Sequence, residues 1–386
     1  MANKRIFFPA HQVGIKGDGQ TTFRVIHGAQ NLTTNTSFNL SQVFILGQLA
    51  IYENIEGVPD VEVSLTKVLD GYPLIYHEAT IQAVDPTLIG RSNEKCLVAV
   101  AIFSDTADGA SGAPLAQVQF SGMYVNSLAY SFPLEDNFTE QATLAGNDKY
   151  WANDPNLVGN EPWVGADTLG FTGAFSTDDA PIGSGGVNRR ENMNFLPSTT
   201  VGLDTNGMVA DPDCTILPPD VFGISASGTN KKTDGQSFDV TITNIGVNVD
   251  FNREAIFQMG RKGAFHRYVN FPVQVTCEIT STSRSGDFVS GTEYGIRTPA
   301  SIGLCQDGGN LQNRTIRIAT CEGTRLYLGL KNKLATTNYT GGDAGGGNVE
   351  VTYTFNTFND LTVLHSGDPN ASGNVWWAAR STYLVN

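Results

Sequence analysis

The residues best suited to chemistry fall in a few small clusters. Residues 203 to 214, LDTNGMVADPDC, set Asp204, Asn206, Asp211 and Asp213 around a glycine, oxygen donors of the kind that hold calcium. The fixed ligand spacing of a helix–loop–helix calcium site is missing, and Asp and Asn beside Gly and Pro are also ordinary turn residues. His77-Glu78 opens like a zinc helix, but no second histidine follows four residues on. The run YWANDPNLVGNEPW, residues 150 to 163, offers Tyr150, Trp151 and Trp163 as stacking surfaces for a sugar. The plainer reading is that these aromatics anchor a long loop onto a sheet. With 38 acids in the chain, carboxylate pairs of the sort that hydrolyse glycosides are never excluded. GTNKKT at 228 to 233 lacks the second glycine of a phosphate loop, GGDAGGGN at 341 to 348 lacks the strand-to-helix context, and no nucleophile elbow occurs. The expectation is a non-enzymatic protein without metal or cofactor.

One further cluster is of a different kind. In GRKGAFHRYVNFPVQV, residues 260 to 275, Arg261, Lys262 and Arg267 sit among Phe265, His266, Tyr268 and Phe271, and no acid lies between Glu254 and Glu278. Such a run is a nucleic-acid patch, a hairpin leading into a strand, or a surface meeting another subunit. The formal net charge of −14 argues against a broad nucleic-acid surface.

The elements that must position these residues follow from composition. The chain has 386 residues, 40% hydrophobic and 16% charged, with 42 glycines. That is enough for a well-buried core, with many short strands and tight turns. Helical apolar spacing never runs beyond about three turns, so the expected class is all-β with one or two small helices. No apolar run approaches the ~20 residues of a membrane-spanning helix. The start MANKRIFFPAHQ has a basic residue pair but no apolar stretch behind it, so cytoplasmic synthesis without a secretory signal is expected. Five scattered cysteines read as buried thiols.

Charge and pattern divide the chain. From Leu134 to Asp220 fourteen acids face three bases, a balance of −11 (3 minus 14). This segment is rich in turn formers such as DPN, DDAPIGSGG and ILPPD. On either side lie blocks of alternating residues that resemble each other. Each opens with Ser-Phe-(Asn/Asp), at 37 to 39 and 237 to 239, and each enters a Pro-led strand at Pro59 or Pro272. Tyr130 and Phe132 are matched with Tyr353 and Phe355. The expected organisation is an N-terminal arm (1–36), a first β domain (37–150), an acidic irregular insertion (151–220) and a second β domain with a C-terminal tail (221–386), the two domains being duplicates.

Three stretches then point to a family. SFNLSQVFILGQLAIYENIEGVPDVEVSLTKVLDGYPLIYHEAT (37 to 80), YSFPLEDNFTEQATLAGNDKYW (130 to 151) and FQMGRKGAFHRYVNFPVQVTCEI (257 to 279) resemble virion proteins of tailed bacteriophages, above all major tail tube proteins. The resemblance implies two tube-like β-sandwich or half-barrel domains whose sheets join edge to edge between subunits. It also implies stacked rings around a channel through which DNA passes without sticking. A duplicated chain favours a trimeric pseudo-hexamer over a hexamer, located in the virion tail with other tail and baseplate proteins as partners and no membrane. The alternatives are a tail terminator, sheath-like or capsid-decorating protein, or a carbohydrate-binding or depolymerising tail protein. Within the resemblance, Glu53, Glu56, Arg261, Lys262 and Arg267 are the expected inter-subunit contacts, the acidic turn Asn54 to Gly57 answering the basic tip Gly260 to Gly263. Glu62 and Glu278 are the expected lumen acids.

Overall fold

The computed structural model describes residues 11–18, 20, 23–47, 51–83, 85–103, 116–152, 175–176, 186–192, 242–260, 263–282, 316–320, 324–329, 331–341 and 347–365. In chain order the strands begin with β1 (His11–Gly17), β2 (Phe23–Val25), β3 (Ala29–Ser37), β4 (Ser41–Phe44), β5 (Ile51–Ile55) and β6 (Asp60–Val68). Two short helices, α1 (Ile75–Ala79) and α2 (Leu88–Arg91), follow. Then come β7 (Cys96–Ile102), β8 (Ala116–Pro133), β9 (Thr139–Gly146), β10 (Asp148–Ala152) and β11 (Phe175–Ser176). The second part of the chain supplies β12 (Ile242–Asp250), β13 (Arg253–Ile256), β14 (His266–Val269), β15 (Gln274–Thr282) and β16 (Arg317–Ala319). It ends with β17 (Arg325–Tyr327), β18 (Lys333–Thr340), β19 (Glu350–Phe358) and β20 (Thr362–Leu364). The protein is all-β with two small helices, as its composition requires.

Alternation in the sequence becomes a two-faced sheet. In β6, Val61, Val63, Leu65 and Lys67 are buried while Asp60 and Glu62 are exposed. In β15 the same parity buries Val275, Cys277, Ile279 and Ser281. A strand's side chains alternate between faces, so one face of each enters the core. β7, CLVAVAI, is buried at all seven positions, which fits its unbroken apolar run.

The central sheet has the order β3-β6-β9-β8-β12-β15-β19-β18, antiparallel at every step. It falls into two quartets. In the first, the strands in sequence order one, two, four and three (β3, β6, β9, β8) lie side by side. In the second, β12, β15, β19 and β18 repeat that order. The registers match as well. Val61 faces Gly146 and Val275 faces Thr357. The third ladder of each quartet shifts at one place, between Val125 and Ser127 in β8 and between Leu334 and Thr336 in β18, opposite Leu144 and Phe355. The first ladders shift between Ala29 and Asn31 and between Ile242 and Asn244. Bulges of this kind bend a strand locally and leave one residue unpaired.

β8 is long enough to serve two sheets. Its N-terminal half pairs with β7 and β10, and its C-terminal half with β9 and β12. Through β7 it carries β1, β2 and β11. Within the segment expected as an N-terminal arm, the described β1 is paired along its whole length with β7, β2 with β1, and β3 with β6. One cluster of buried side chains runs under both quartets, from Val63, Leu65 and Leu144 through Tyr130 and Val247 to Cys277 and Tyr353. Most of the acidic segment 151–220 lies outside the described residues. Of its described part, Asn188 is buried and exchanges backbone hydrogen bonds with Leu69 and Phe138.

Candidate assembly surfaces

Between the first two strands of each quartet the chain leaves the sheet as a hairpin, β4–β5 in the first and β13–β14 in the second. Three pairs correspond in register, Ser41–Ile55 to Glu254–Tyr268, Gln42–Asn54 to Ala255–Arg267, and Val43–Glu53 to Ile256–His266, after which the first hairpin shifts between Val43 and Phe44. Each begins with Phe-Asn, the asparagine left-handed (φ 46° at Asn39, 42° at Asn252). Each turns at a glycine of positive φ, Gly47 (88°) and Gly260 (84°), a conformation costly for residues with a Cβ. Leu46 and Met259, just before those glycines, are fully exposed. By this correspondence Gly260 is matched by Gly47. Asn54, expected at the matching acidic turn, instead lies in β5 opposite Gln42.

The second hairpin is docked. Arg267, 8% exposed, donates from Nη2 to Asp60 Oδ1 (2.8 Å) and the Gly146 carbonyl (3.0 Å), and from Nε to Asn147 Oδ1 (3.2 Å). Asn147 Nδ2 donates to the Ala264 carbonyl at 2.8 Å. Tyr124 Oη and His266 Nδ1 lie 2.7 Å apart. Arg253 reaches three carbonyls, of Val125 (2.7 Å), Arg267 (2.8 Å) and Ser92 (2.7 Å); its burial pulls its pKa down to about 10. Asp60, Tyr124, Val125 and Gly146 belong to strands of the first quartet, Asn147 follows its β9 and Ser92 lies between β6 and β7, so the second hairpin is clamped across the seam between quartets. The seam itself is the β8–β12 ladder, extended by the Phe251 amide donating to the Asn126 carbonyl at the bulge (2.9 Å). Arg267, expected to meet another subunit, is committed within the chain. Arg261 and Lys262 lie outside the described residues.

The first hairpin has the opposite character. Phe38, Leu40, Phe44, Ile51, Tyr52 and Ile55 are all exposed, as are Glu53 and Glu56. Among the described residues the two outer strands of the central sheet are likewise open: β3 pairs only with β6 and β18 only with β19, and both are largely exposed along their length. Unpaired edge groups of this kind invite a further strand.

The sheet face away from the core is polar. Thr, Ser, Asn and Gln fill most of it, with Glu62, Asp250, Glu278 and Glu350 exposed and Lys333 at one margin. Glu62 and Glu278, expected as lumen acids, share this face. Across the seam it forms a shallow groove of about 420 Å³, lined by Ser127, Gln141, Asn248, Asp250 and Thr276 among others.

The buried titratable groups organise the core. Glu140 accepts from the amides of Ile75 (2.6 Å) and Tyr76 (3.1 Å), which begin α1, and from Tyr130 Oη (3.0 Å). Burial raises its pKa, outweighing Lys67 and these donors. Lys67 Nζ is held by Asp70 (3.1 Å) and the Pro73 carbonyl (2.9 Å). His77 is buried, its ring centroid 6.4 Å from that of His365, and Cys96 and Cys277 are buried free thiols. Among the described residues no group of His, Cys, Asp or Glu is arranged to hold a metal, and no helix is long and apolar enough to cross a membrane. Trp151 is half-exposed on β10; Trp163 and residues 203–214 lie outside the described residues.

No family model matches the chain, and no curated protein matches it. Among solved structures, one chain of the anti-feeding prophage baseplate aligns at a TM-score of 0.30 with 12% identity, covering 40% of this chain and 98% of that one. A chain of the sheath–tube complex of an extracellular contractile injection system, in its extended state, aligns at 0.29 with 12% identity, covering 39% and 93%. Hcp1 from Flavobacterium johnsoniae aligns at 0.22 with 10% identity, covering 37% and 96%.

Proposed function

We propose that the chain is a duplicated structural subunit of a phage tail tube, and that copies join through β18 of one and β3 of the next. The observation that carries this reading is the repeated quartet order, which leaves one first strand and one third strand as the open edges. Inside the chain the same two kinds of strand, β8 and β12, already pair antiparallel. Strand direction alternates across the sheet, so β3 and β18 of successive copies meet antiparallel too. Such a head-to-tail contact makes a closed ring when its rotation closes. Three copies supply six quartets, the trimeric pseudo-hexamer. The edges are satisfied by assembly and cease to be an aggregation hazard.

In this ring the polar face with Glu62 and Glu278 lines the channel. Hydroxyls and amides with a modest excess of acid offer DNA no cationic grip, so a phosphate backbone slides past. Rings stack through the exposed hairpin tips at Leu46 and Met259, and the particle location is the virion tail. Purified protein examined by mass photometry and negative-stain microscopy tests the reading: three-copy rings or tubes support it. A strictly monomeric species at high concentration overturns it.

A further inference from the structure

We infer that the exposed β4–β5 hairpin seats on the β18–β19 end of a neighbouring copy's second quartet, with Glu53 against Lys333 and Ile51 against Phe358. This rests on the edge-pairing reading above and adds to it a specific interface. The argument is a transfer of contacts that the chain makes once internally.

In the docked hairpin, His266 meets Tyr124, and Asn147 meets the backbone of Ala264. The hairpin registers place Glu53 where His266 stands, and two residues back along each strand Ile51 corresponds to Ala264, beyond the point where the first hairpin's ladder shifts between Val43 and Phe44. The ladder registers place Lys333 where Tyr124 stands, two residues before the bulge, and Phe358 where Asn147 stands, one residue past the end of the pairing Val61–Gly146 or Val275–Thr357. The residues that the transfer brings together are complementary. An acid faces a base where the internal seam has a hydroxyl and an imidazole. Two exposed apolar side chains, Ile51 at 45% and Phe358 at 56%, face each other where the internal seam has an amide and a carbonyl. Asn54 faces Gln274 where Arg267 faces Asp60. Among the described residues Ile51, Phe358, Glu53 and Lys333 are all exposed. A second copy of this chain accounts for all four.

The transferred seam also fixes the edge register. Val247–Tyr130, Asn248–Ala129 and Val249–Leu128 of the internal ladder become Thr34–Tyr339, Asn35–Asn338 and Thr36–Thr337 between copies. Contacts and register follow from one operation.

The test uses the full chain carrying Glu53→Lys, Lys333→Glu or both, with ring formation followed by mass photometry over a concentration series in low and high salt. Each single change is expected to raise the concentration for half-assembly by about tenfold, because like charges then meet at the contact. The double change is expected to restore assembly close to that of the unaltered chain, and Phe358→Ser to weaken assembly in both salts. Circular dichroism and melting checks that every variant is folded. Rings that form equally well whatever the charges, or a double variant no better than the singles, overturn this docking and leave edge pairing standing. An unaltered chain that never associates overturns both.

Discussion

Arg267 Nη2 lies 2.8 Å from Asp60 Oδ1, joining residues 207 positions apart across the seam between the two quartets. The arginine is almost wholly buried and the aspartate half-exposed, so the two partners are not equivalent. Replacing Arg267 by Ala strands the acceptors on Asp60, Asn147 and Gly146 and is expected to cost about 1–3 kcal/mol in urea unfolding. Replacing Asp60 by Ala is expected to cost about 1 kcal/mol or less, since water reaches the carboxylate. Equal costs would contradict the clamp described here.

Acid should weaken the fold through its histidines. Burial pushes the His365 ring down to about 3, with Lys67 adding to the effect, and holds His77 well below its ordinary value, with Arg91 and His365 adding. In the unfolded chain both titrate near 6.5. The folded state therefore binds fewer protons: the contribution is complete above about pH 6.5 and is lost as pH falls from there toward the folded values. Each histidine is expected to remove about 1.4 kcal/mol per pH unit in that window. Urea midpoints at pH 7 and pH 5 measure the slope, and His365→Gln should flatten it.

Glu140 works in the opposite direction. Its folded carboxyl titrates above the ordinary value because of burial, so its contribution is present at low pH and declines as pH rises from the unfolded carboxyl value, about 4.3, to the raised one. Glu140→Gln removes that decline while keeping one acceptor for the α1 amides. The difference in stability between the two proteins should shrink as pH rises through this window, read from paired urea titrations.

The open edges give the sharpest assembly test. Thr36→Arg combined with Thr337→Arg puts like charges directly opposite in the β3–β18 register, where cross-strand neighbours are closest. Both threonines are partly buried, so the monomer is expected to lose about 1 kcal/mol yet stay folded, which circular dichroism checks. Rings should be lost, as sedimentation velocity would show.

The hairpin tips address stacking alone. Leu46→Ser with Met259→Ser is expected to leave rings intact while shortening tubes in electron micrographs, because both side chains are fully exposed away from the sheet ladders.

The fold class was readable because strands such as DVEVSLTKV and QVTCEITST alternate cleanly, and glycine-rich connections leave little room for helices. The match between the blocks was legible in part. Pro59 and Pro272 each precede the strand that follows the hairpin, in register with Gly47 and Gly260. Ser237-Phe238, however, lies outside the described residues, and the stretch that matches Phe38-Asn39 in backbone geometry is Phe251-Asn252, both asparagines adopting positive φ. Tyr130 and Tyr353 were paired by their similar surroundings, yet Tyr130 is on β8, a third strand, and Tyr353 on β19, a fourth. Strand composition alone cannot distinguish neighbours in a sheet whose faces all alternate alike. Arg267 misled for a related reason: a basic residue near a hairpin reads as surface until its acceptors, Asp60 and Gly146, are brought to it from a distant part of the chain.

The strands on the two sides of the seam differ in one atom type more than in shape. Where the internal ladder has Val247 and Val249, the open edge β3 has Thr34 and Thr36; where β8 has Leu128, β18 has Thr337. Threonine keeps the branched Cβ that favours extended backbone but carries a polar hydroxyl, which at Thr36 finds no hydrogen-bond partner among the described residues. A strand that waits in solvent before meeting its partner can thus hold its shape without collapsing onto strangers, whereas one that folds beside its partner on the same chain never has to be wetted. In the ring proposed above, the valine-to-threonine exchange separates the joints that form once, at folding, from those that stay soluble until a second molecule arrives.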